Sequence, residues 1–322
     1  MGAFKYIYGP VPSRRMGISV GISPIPEKYC NYSCIYCQLG RTSHMSNKRE
    51  EFFKLDDILD EFERYLKENP KFDVVTIVGE GEPTLYSRLG ELIDGLKRLT
   101  EKPVAVITNG ALLYDEEVRS QLCNSDIVLP SLDAYDEETF KRINRPCRGI
   151  NFKMVLEGLM KFSQKYKGQL WIEIMIIKDM NDSTEDILRF KALLDKIEYD
   201  RLYINSPVRP PAESWVEQPS SKTIKMAVNI LKGISIDALA SKGFYSEDED
   251  DYRAIISIIK RHPMNQHEIS DFLSSRNCSN TIEIFKRLEL DESVESINYK
   301  GYITYRLKKW MTIRQKDFEI NK

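Results

Sequence analysis

Several scarcities narrow this chain before any motif is read. Its 322 residues include only three histidines and six cysteines, and its 47 Lys and Arg nearly cancel 49 Asp and Glu, for a formal net charge of −2. Near-neutrality gives no chain-wide field to draw the protein to nucleic acid or to a membrane surface. No run is apolar enough to span a bilayer, and the opening Met1-Gly2-Ala3-Phe4-Lys5 lacks the apolar core of a signal peptide. A cytoplasmic protein with no membrane partner is expected. Cys123, Cys147 and Cys278 are scattered and read as free thiols, not a disulfide framework. With 42% hydrophobic and 30% charged residues the composition is that of a soluble globular protein, and the length suits one large domain plus a small one.

The other three cysteines stand together. Cys30, Cys34 and Cys37 are spaced C-x3-C-x2-C within Tyr29–Gly40. Thiolates favour iron–sulfur centres over hard metals, and no fourth cysteine is nearby to close a cluster of the electron-transfer kind. Three ligands on a four-iron cluster leave one iron open to a substrate or cofactor. His44 follows in the same loop, so a structural zinc held by three cysteines and a histidine is the competing reading.

Around this loop the sequence alternates. Short apolar, β-branched runs at Gly17–Ser23, Val74–Val78, Val104–Thr108, Ile127–Leu132, Leu170–Ile177 and Leu202–Asn205 predict strands. Between them Leu55–Leu66, Leu89–Leu99, Glu137–Ile143, Phe152–Phe162, Asp186–Ile197 and Thr223–Leu231 carry apolar residues at three- and four-residue intervals, as helices do. Strand–helix alternation argues for a parallel sheet, and six units suit a partial (β/α)6 barrel with its chemistry at the C-terminal strand ends. Residues 1–240 are assigned to this barrel, 241–251 to an acidic linker and 252–322 to a small domain. There, three helical segments precede two alternating strands joined at Lys300-Gly301, the order of a winged helix. From Tyr252 onward the formal charge is about +4, a hint of nucleic acid.

Polar residues collect at the predicted strand ends. Gly79-Glu80-Gly81-Glu82-Pro83 follows one strand: glycines let backbone approach a ligand closely, and a carboxylate such as Glu82 can hold an ammonium. Asn109 ends the next strand, and Ser131 and Asp133 the one after, so these small polar groups converge on one pocket. Asp133 has a second reading as a helix cap. Glu173 interrupts the apolar run Trp171–Met175 and faces either the lumen or an exposed edge. Arg14 and Arg15 lie before the first strand and are either solvated or able to grip a carboxylate or phosphate. Arg142, Arg145 and Arg148 form a further basic group, and Asn181-Asp182 reads as the cap of the following helix.

The cysteine spacing, with Tyr36 just before Cys37, resembles the signature of the radical SAM superfamily. Gly79-Glu80-Gly81-Glu82-Pro83 resembles its Gly-Gly-Glu-Pro motif, with Glu80 in place of a glycine. The resemblance implies the partial barrel. It implies a [4Fe-4S] cluster on Cys30, Cys34 and Cys37, and S-adenosylmethionine bound at the open iron. Gly79, Gly81, Glu82 and Pro83 would lie near the methionine amino group, and Asn109, Ser131 and Asp133 near the carboxylate and ribose. Glu173 would touch cofactor or substrate, and a reductant such as ferredoxin or flavodoxin would supply the electron. Tyr8–Arg15 leading into Cys30–Gly40 looks like a prokaryotic group related to tRNA-wyosine synthases. No cysteine precedes Cys30, where archaeal wyosine synthases carry a second cluster, which counts against that reaction. A macromolecular substrate is expected, RNA ahead of a protein of the glycyl-radical type. A non-enzymatic iron–sulfur regulator that binds DNA is the rival from another class.

Overall fold

The β-branched runs and the amphipathic stretches between them fold as strand–helix repeats. The computed structural model describes residues 4–236, 244, 246, 248, 250–260, 262–299 and 301–308, and the chain divides into two units, Met1–Tyr245 and Ser246–Lys322. In the first, β1 (Ile7–Ser13) and β2 (Gly17–Ile22) form a hairpin, and β3 (Tyr29–Cys30) and β4 (His44–Met45) pair with each other. There follow α1 (Leu55–Lys67), β5 (Val74–Ile77), α2 (Leu89–Leu99), β6 (Val104–Thr108), α3 (Glu116–Leu122) and β7 (Ile127–Pro130). Next come α4 (Glu137–Ile143), α5 (Phe152–Lys165), β8 (Gln169–Met175), α6 (Thr184–Leu194), β9 (Arg201–Asn205), α7 (Ser221–Leu231) and β10 (Ile234–Ser235). The sheet order is β1-β2-β5-β6-β7-β8-β9-β10, with every neighbour pair parallel except β1–β2.

The two faces of this sheet bury different sets of side chains. Val75, Ile77, Val106, Val128, Leu170, Ile172 and Leu202 join the main core against the helices. The alternate residues Val74, Ala105, Ile127, Leu129, Trp171 and Tyr203, with Met16 from the β1–β2 turn, form a smaller inner cluster. Burial on both faces is why the strands read as continuous apolar runs. Strand β1 is absent from the predicted set because Pro10 and Pro12 argue against a strand; it lies at the sheet edge and carries a bulge between Tyr8 and Val11, where proline is tolerated.

Two expected caps are corrected. Helix α6 is capped by Ser183 in a capping box with Asp186, not by Asn181-Asp182. Helix α4 is capped by Asp136, whose carboxylate accepts from Thr139 N at 2.8 Å, so Asp133 is released from that role.

The second unit contains α8 (Asp251–Ile259), β11 (Met264–Asn265), α9 (Gln266–Ser275), α10 (Thr281–Leu290), β12 (Val294–Tyr299) and β13 (Tyr302–Leu307). Its antiparallel sheet runs β11-β13-β12, and Ile255, Phe272, Leu273, Leu288 and Tyr305 are buried within it. The acidic run is more than a solvated linker where it is described. Asp250 caps α8, and Arg276 bonds the Ser246 and Asp248 carbonyls and the Asp251 carboxylate. The remaining linker positions 241–243, 245, 247 and 249, and residues 309–322, lie outside the described residues.

Candidate active site

The cysteine loop leaves β2 at its C-terminal end and is closed by the short β3–β4 pair. Close backbone approach fixes its entry. Glu82 N donates to Tyr29 O at 3.0 Å, and a Cβ on Gly81 would stand 1.9 Å from that same oxygen. Gly81 is therefore required by the cysteine loop itself, whereas Gly79 has no neighbour closer than 3.4 Å to a Cβ. Both glycines are expected at a ligand, and for Gly81 the structure adds a packing requirement within the chain. Pro83 opens a short 3-10 turn, Pro83–Leu85.

Glu82 is buried and its carboxylate is already well occupied. Oε1 accepts from Thr84 N at 3.0 Å, Thr84 Oγ1 at 2.5 Å and Thr108 Oγ1 at 2.5 Å, and Oε2 accepts from Asn109 N at 2.8 Å. Burial pushes the Glu82 carboxyl up, and these donors oppose the shift. The side chain thus ties the turn after β5 to the end of β6. Asn109 carries the connection onward: its amide donates to Asn31 Oδ1 at 2.7 Å and points at Cys30 Sγ at 3.6 Å, while its Oδ1 accepts from Ala111 N. Asn31 was not singled out in the sequence, although it sits between two of the features that were.

The far side of the loop rests on Asp133. Its carboxylate accepts from Tyr36 Oη, from Asn144 Nδ2 at 3.0 Å and from Met175 N at 3.0 Å, and burial pushes its carboxyl up to about 6. Asn144 also directs its amide at Cys34 Sγ, at 3.5 Å. Asn181, fully buried, bonds the carbonyls of Asp133 and Met175 from behind. Ser131 lies beside Glu173 in an isolated parallel bridge, and its N donates to Thr108 O at 3.1 Å. Glu173 pairs with Arg15 and accepts from Asn205 Nδ2 at 3.1 Å. It is on the same face of β8 as Trp171 in the inner cluster, which decides for the lumen over an exposed edge.

A brace that sequence reading missed crosses the exit of the loop. Glu213 is buried, and its carboxylate takes a bidentate bond from Arg41, at 2.9 and 2.8 Å, plus a second guanidinium from Arg145. Its backbone N donates to Ile35 O at 3.0 Å, and Val216, three residues on, packs with Ile35, Ile143 and Tyr36. Glu213 sits in a Pro-rich stretch without periodicity, and only the folded chain brings it to the cysteines. Of the three arginines in the 142–148 group, Arg145 is spent on this brace and Arg142 meets Met180 Sδ and Glu138.

The donor set fits an iron–sulfur centre. Burial pushes the Cys30 thiol up to about 12, with Glu82 adding to the shift, and holds the Cys34 thiol well above its ordinary value, with Asp133 and the other cysteines adding. Without a metal these sulfurs stay protonated, so binding iron releases protons. Amide donors from Asn109, Asn144 and Tyr32 N already face the sulfurs of Cys30 and Cys34, as they do around ligated thiolates. Among the described residues no three His, Cys, Asp or Glu side chains close into a group that would hold a metal ion. His44, the fourth ligand of the zinc reading, stacks on Tyr29 and bonds Ser43 Oγ at 3.0 Å. No helix among the described residues is long and apolar enough to cross a membrane.

Comparison with known proteins agrees with this construction. The UPF0026 protein MJ1312 of Methanocaldococcus jannaschii is 34% identical over 309 residues, covering 92% of this chain and 94% of that protein. A Brachyspira hyodysenteriae protein named GTPase Obg is 33% identical over 306 residues; the match takes in 94% of this chain but only 45% of that protein's length. A radical SAM methyltransferase from Sphaerobacter thermophilus has the same fold, with a TM-score of 0.50 over 69% of this chain and 68% of its own, at 15% identity. The sequence profile of the Radical SAM superfamily matches residues 25–190, the span that holds the cysteine loop, Gly79–Pro83, Asn109, Ser131, Asp133 and Glu173. The chain thus belongs to the radical SAM superfamily, as an enzyme whose cofactors are a [4Fe-4S] cluster and S-adenosylmethionine.

Proposed function

We propose that Cys30, Cys34 and Cys37 each ligate one iron of the cluster, and that Gly79–Pro83, Asn109 and Ser131 line the S-adenosylmethionine site beside the open iron. When bound, this cofactor pair supplies a 5'-deoxyadenosyl radical that takes a hydrogen atom from the substrate. The observation that carries the reading is the continuous hydrogen-bonded path from Glu82 through Asn109 to Cys30. It ties the turn after β5 to a cluster ligand, as coupled cofactor sites require. With its carboxylate so occupied, Glu82 holds the turn in shape. The Glu80, Glu82 and Pro83 carbonyls already accept from Lys28, Leu85 and Tyr86 N, so the methionine ammonium is met by the Gly79 and Gly81 carbonyls or by second lone pairs of the others. Asp133 acts through Tyr36 and Asn144 as a positioning residue. Iron and sulfide analysis of anaerobically prepared protein, with 5'-deoxyadenosine formation under dithionite, tests the reading. Stoichiometric zinc without sulfide would sink it.

The second unit has the helix–strand–helix–helix–strand–strand order of a winged helix, and we infer that it docks an RNA substrate. Support comes from the formal charge of about +4 beyond Tyr252. Four of the unit's arginines are engaged within it. Arg253, Arg276 and Arg306 pair with Asp248, Asp251 and Glu295, and Arg287 lies over the Tyr252 ring at 3.9 Å. A protein substrate is the second reading, favoured by Ile282 and Leu290 standing 75% and 81% exposed on α10. Binding to total RNA that falls steeply with salt supports the first, and salt-insensitive stimulation of deoxyadenosine formation by cellular protein the second. A cytoplasmic setting, with a ferredoxin or flavodoxin as reductant, suits the six free cysteines.

A further inference from the structure

Inside the sheet one ion pair is satisfied on one side only. Arg15, in the β1–β2 turn, reaches Glu173 on β8 from 158 residues away. Asn205, at the end of β9, completes the carboxylate through its other oxygen. Glu173 follows Trp171 by two residues and Asn205 follows Tyr203 by two, so both lie on the inner face of the sheet. They also lie at the level of the candidate cofactor residues. Glu173 O accepts from Leu132 N at 2.8 Å, Ser131 bridges Glu173, and Ser131 N meets Thr108 O next to Asn109.

The guanidinium is the unfinished partner. Beyond the bond from Nη1 to Glu173, it meets no acceptor among the described residues, and its Nε is buried without one. Arginine in a purely structural role ordinarily uses the fork that distinguishes it from lysine, and a buried N–H left without an acceptor is destabilising. The Arg15 side chain retains 19% of its exposure, so it is not sealed from solvent. An oxyanion accepting from Nε and the remaining N–H groups completes this set without displacing Glu173.

We propose that Arg15 anchors an oxyanion of the substrate, a phosphate or a carboxylate, on the inner face of the sheet, with Glu173 and Asn205 as the positioning residues that hold its guanidinium. This rests on the radical SAM reading of the neighbouring site, and the two fail separately. Cluster-loaded, full-length protein is titrated by calorimetry with inorganic phosphate and, in a second arm, with malonate. Saturable binding of either is expected, and the stronger of the two identifies the source, phosphoester or carboxylate. Arg15→Gln should abolish it, Arg15→Lys should weaken it, and Glu173→Gln, which removes a competing negative charge, should tighten it by about tenfold. Thermal unfolding and iron content of each variant establish that it is folded and loaded. Binding unaffected by Arg15→Gln, or no saturable binding to the wild type and to Glu173→Gln, overturns the proposal. If the wild type also forms no deoxyadenosine with dithionite, the underlying reading falls with it; if deoxyadenosine forms normally, only the anchor is lost.

Discussion

The two flanks of the cysteine loop are held by different physics. On the entry side Glu82 is buried and receives four hydrogen bonds from uncharged donors, and Gly81 lies against the Tyr29 backbone. On the exit side Glu213 is clasped by Arg41 and Arg145, whose side chains are 67% and 39% exposed. The difference is one of dielectric. A carboxylate among fixed neutral donors in the interior is insensitive to salt, whereas an ion pair with exposed guanidiniums is screened. The entry flank is built as permanent architecture, and the exit flank as a clasp that solvent conditions can loosen.

The largest test breaks the entry flank. Gly81→Ala forces a Cβ onto the Tyr29 carbonyl, so a loss of about 3 kcal/mol or more in unfolding free energy is expected, with failure to load iron. Gly79→Ala, two residues away, should stay within about 0.5 kcal/mol of wild type. Equal effects at the two glycines would mean that the packing account of Gly81 is wrong. Next in size, Glu82→Leu strands the hydroxyls and amides of Thr84, Thr108 and Asn109 and should cost about 3 kcal/mol. Chemical denaturation at low and high salt checks this, and the cost should be the same in both. Thr108→Val, which removes one of those bonds, should cost about 1–2 kcal/mol.

The exit flank should respond differently. Glu213→Gln is expected to cost about 1–2 kcal/mol, discounted for the exposed guanidiniums, and the cost should shrink in high salt. The hydrogen bond from Arg41 holds the Glu213 carboxyl below its ordinary value of 4.5. A depressed folded-state value means that this contribution is fully present above about pH 4.5 and is lost as pH falls through the folded value. Denaturation midpoints of wild type and Glu213→Gln should therefore converge on acidification. A gap that persists at low pH would assign the role of Glu213 to packing alone. Smallest of all, Arg41→Gln should leave thermal stability almost unchanged, because Arg145 still holds the carboxylate.

What could be read from the sequence follows the same division. The cysteine spacing, the apolar runs and the polar strand ends are local patterns, and they predicted the parallel sheet and the neighbourhood of the site. Roles depending on side-chain direction were less accessible. The sequence places Glu82 and Asp133 at the site, but not the internal donors that their carboxylates accept from. Asp133 and Asp136 are three residues apart, and only the backbone decides which of them caps α4. Glu213 and the Arg15–Glu173 pair are joined across 172 and 158 residues, where no periodicity reaches. Strand β1 was hidden by two prolines that an edge position excuses.

The order of synthesis makes the exit clasp a late event. Cys37 leaves the ribosome 176 residues ahead of Glu213, a delay of roughly nine to thirty-five seconds at 5–20 residues per second. Until then the nascent cysteine loop lacks the carboxylate that gathers Arg41 and Arg145 and the valine that covers Ile35. A scaffold delivering iron and sulfide to the growing chain would thus find the three thiols still open on one flank. The segment that finally closes over them arrives only after β9 has been translated.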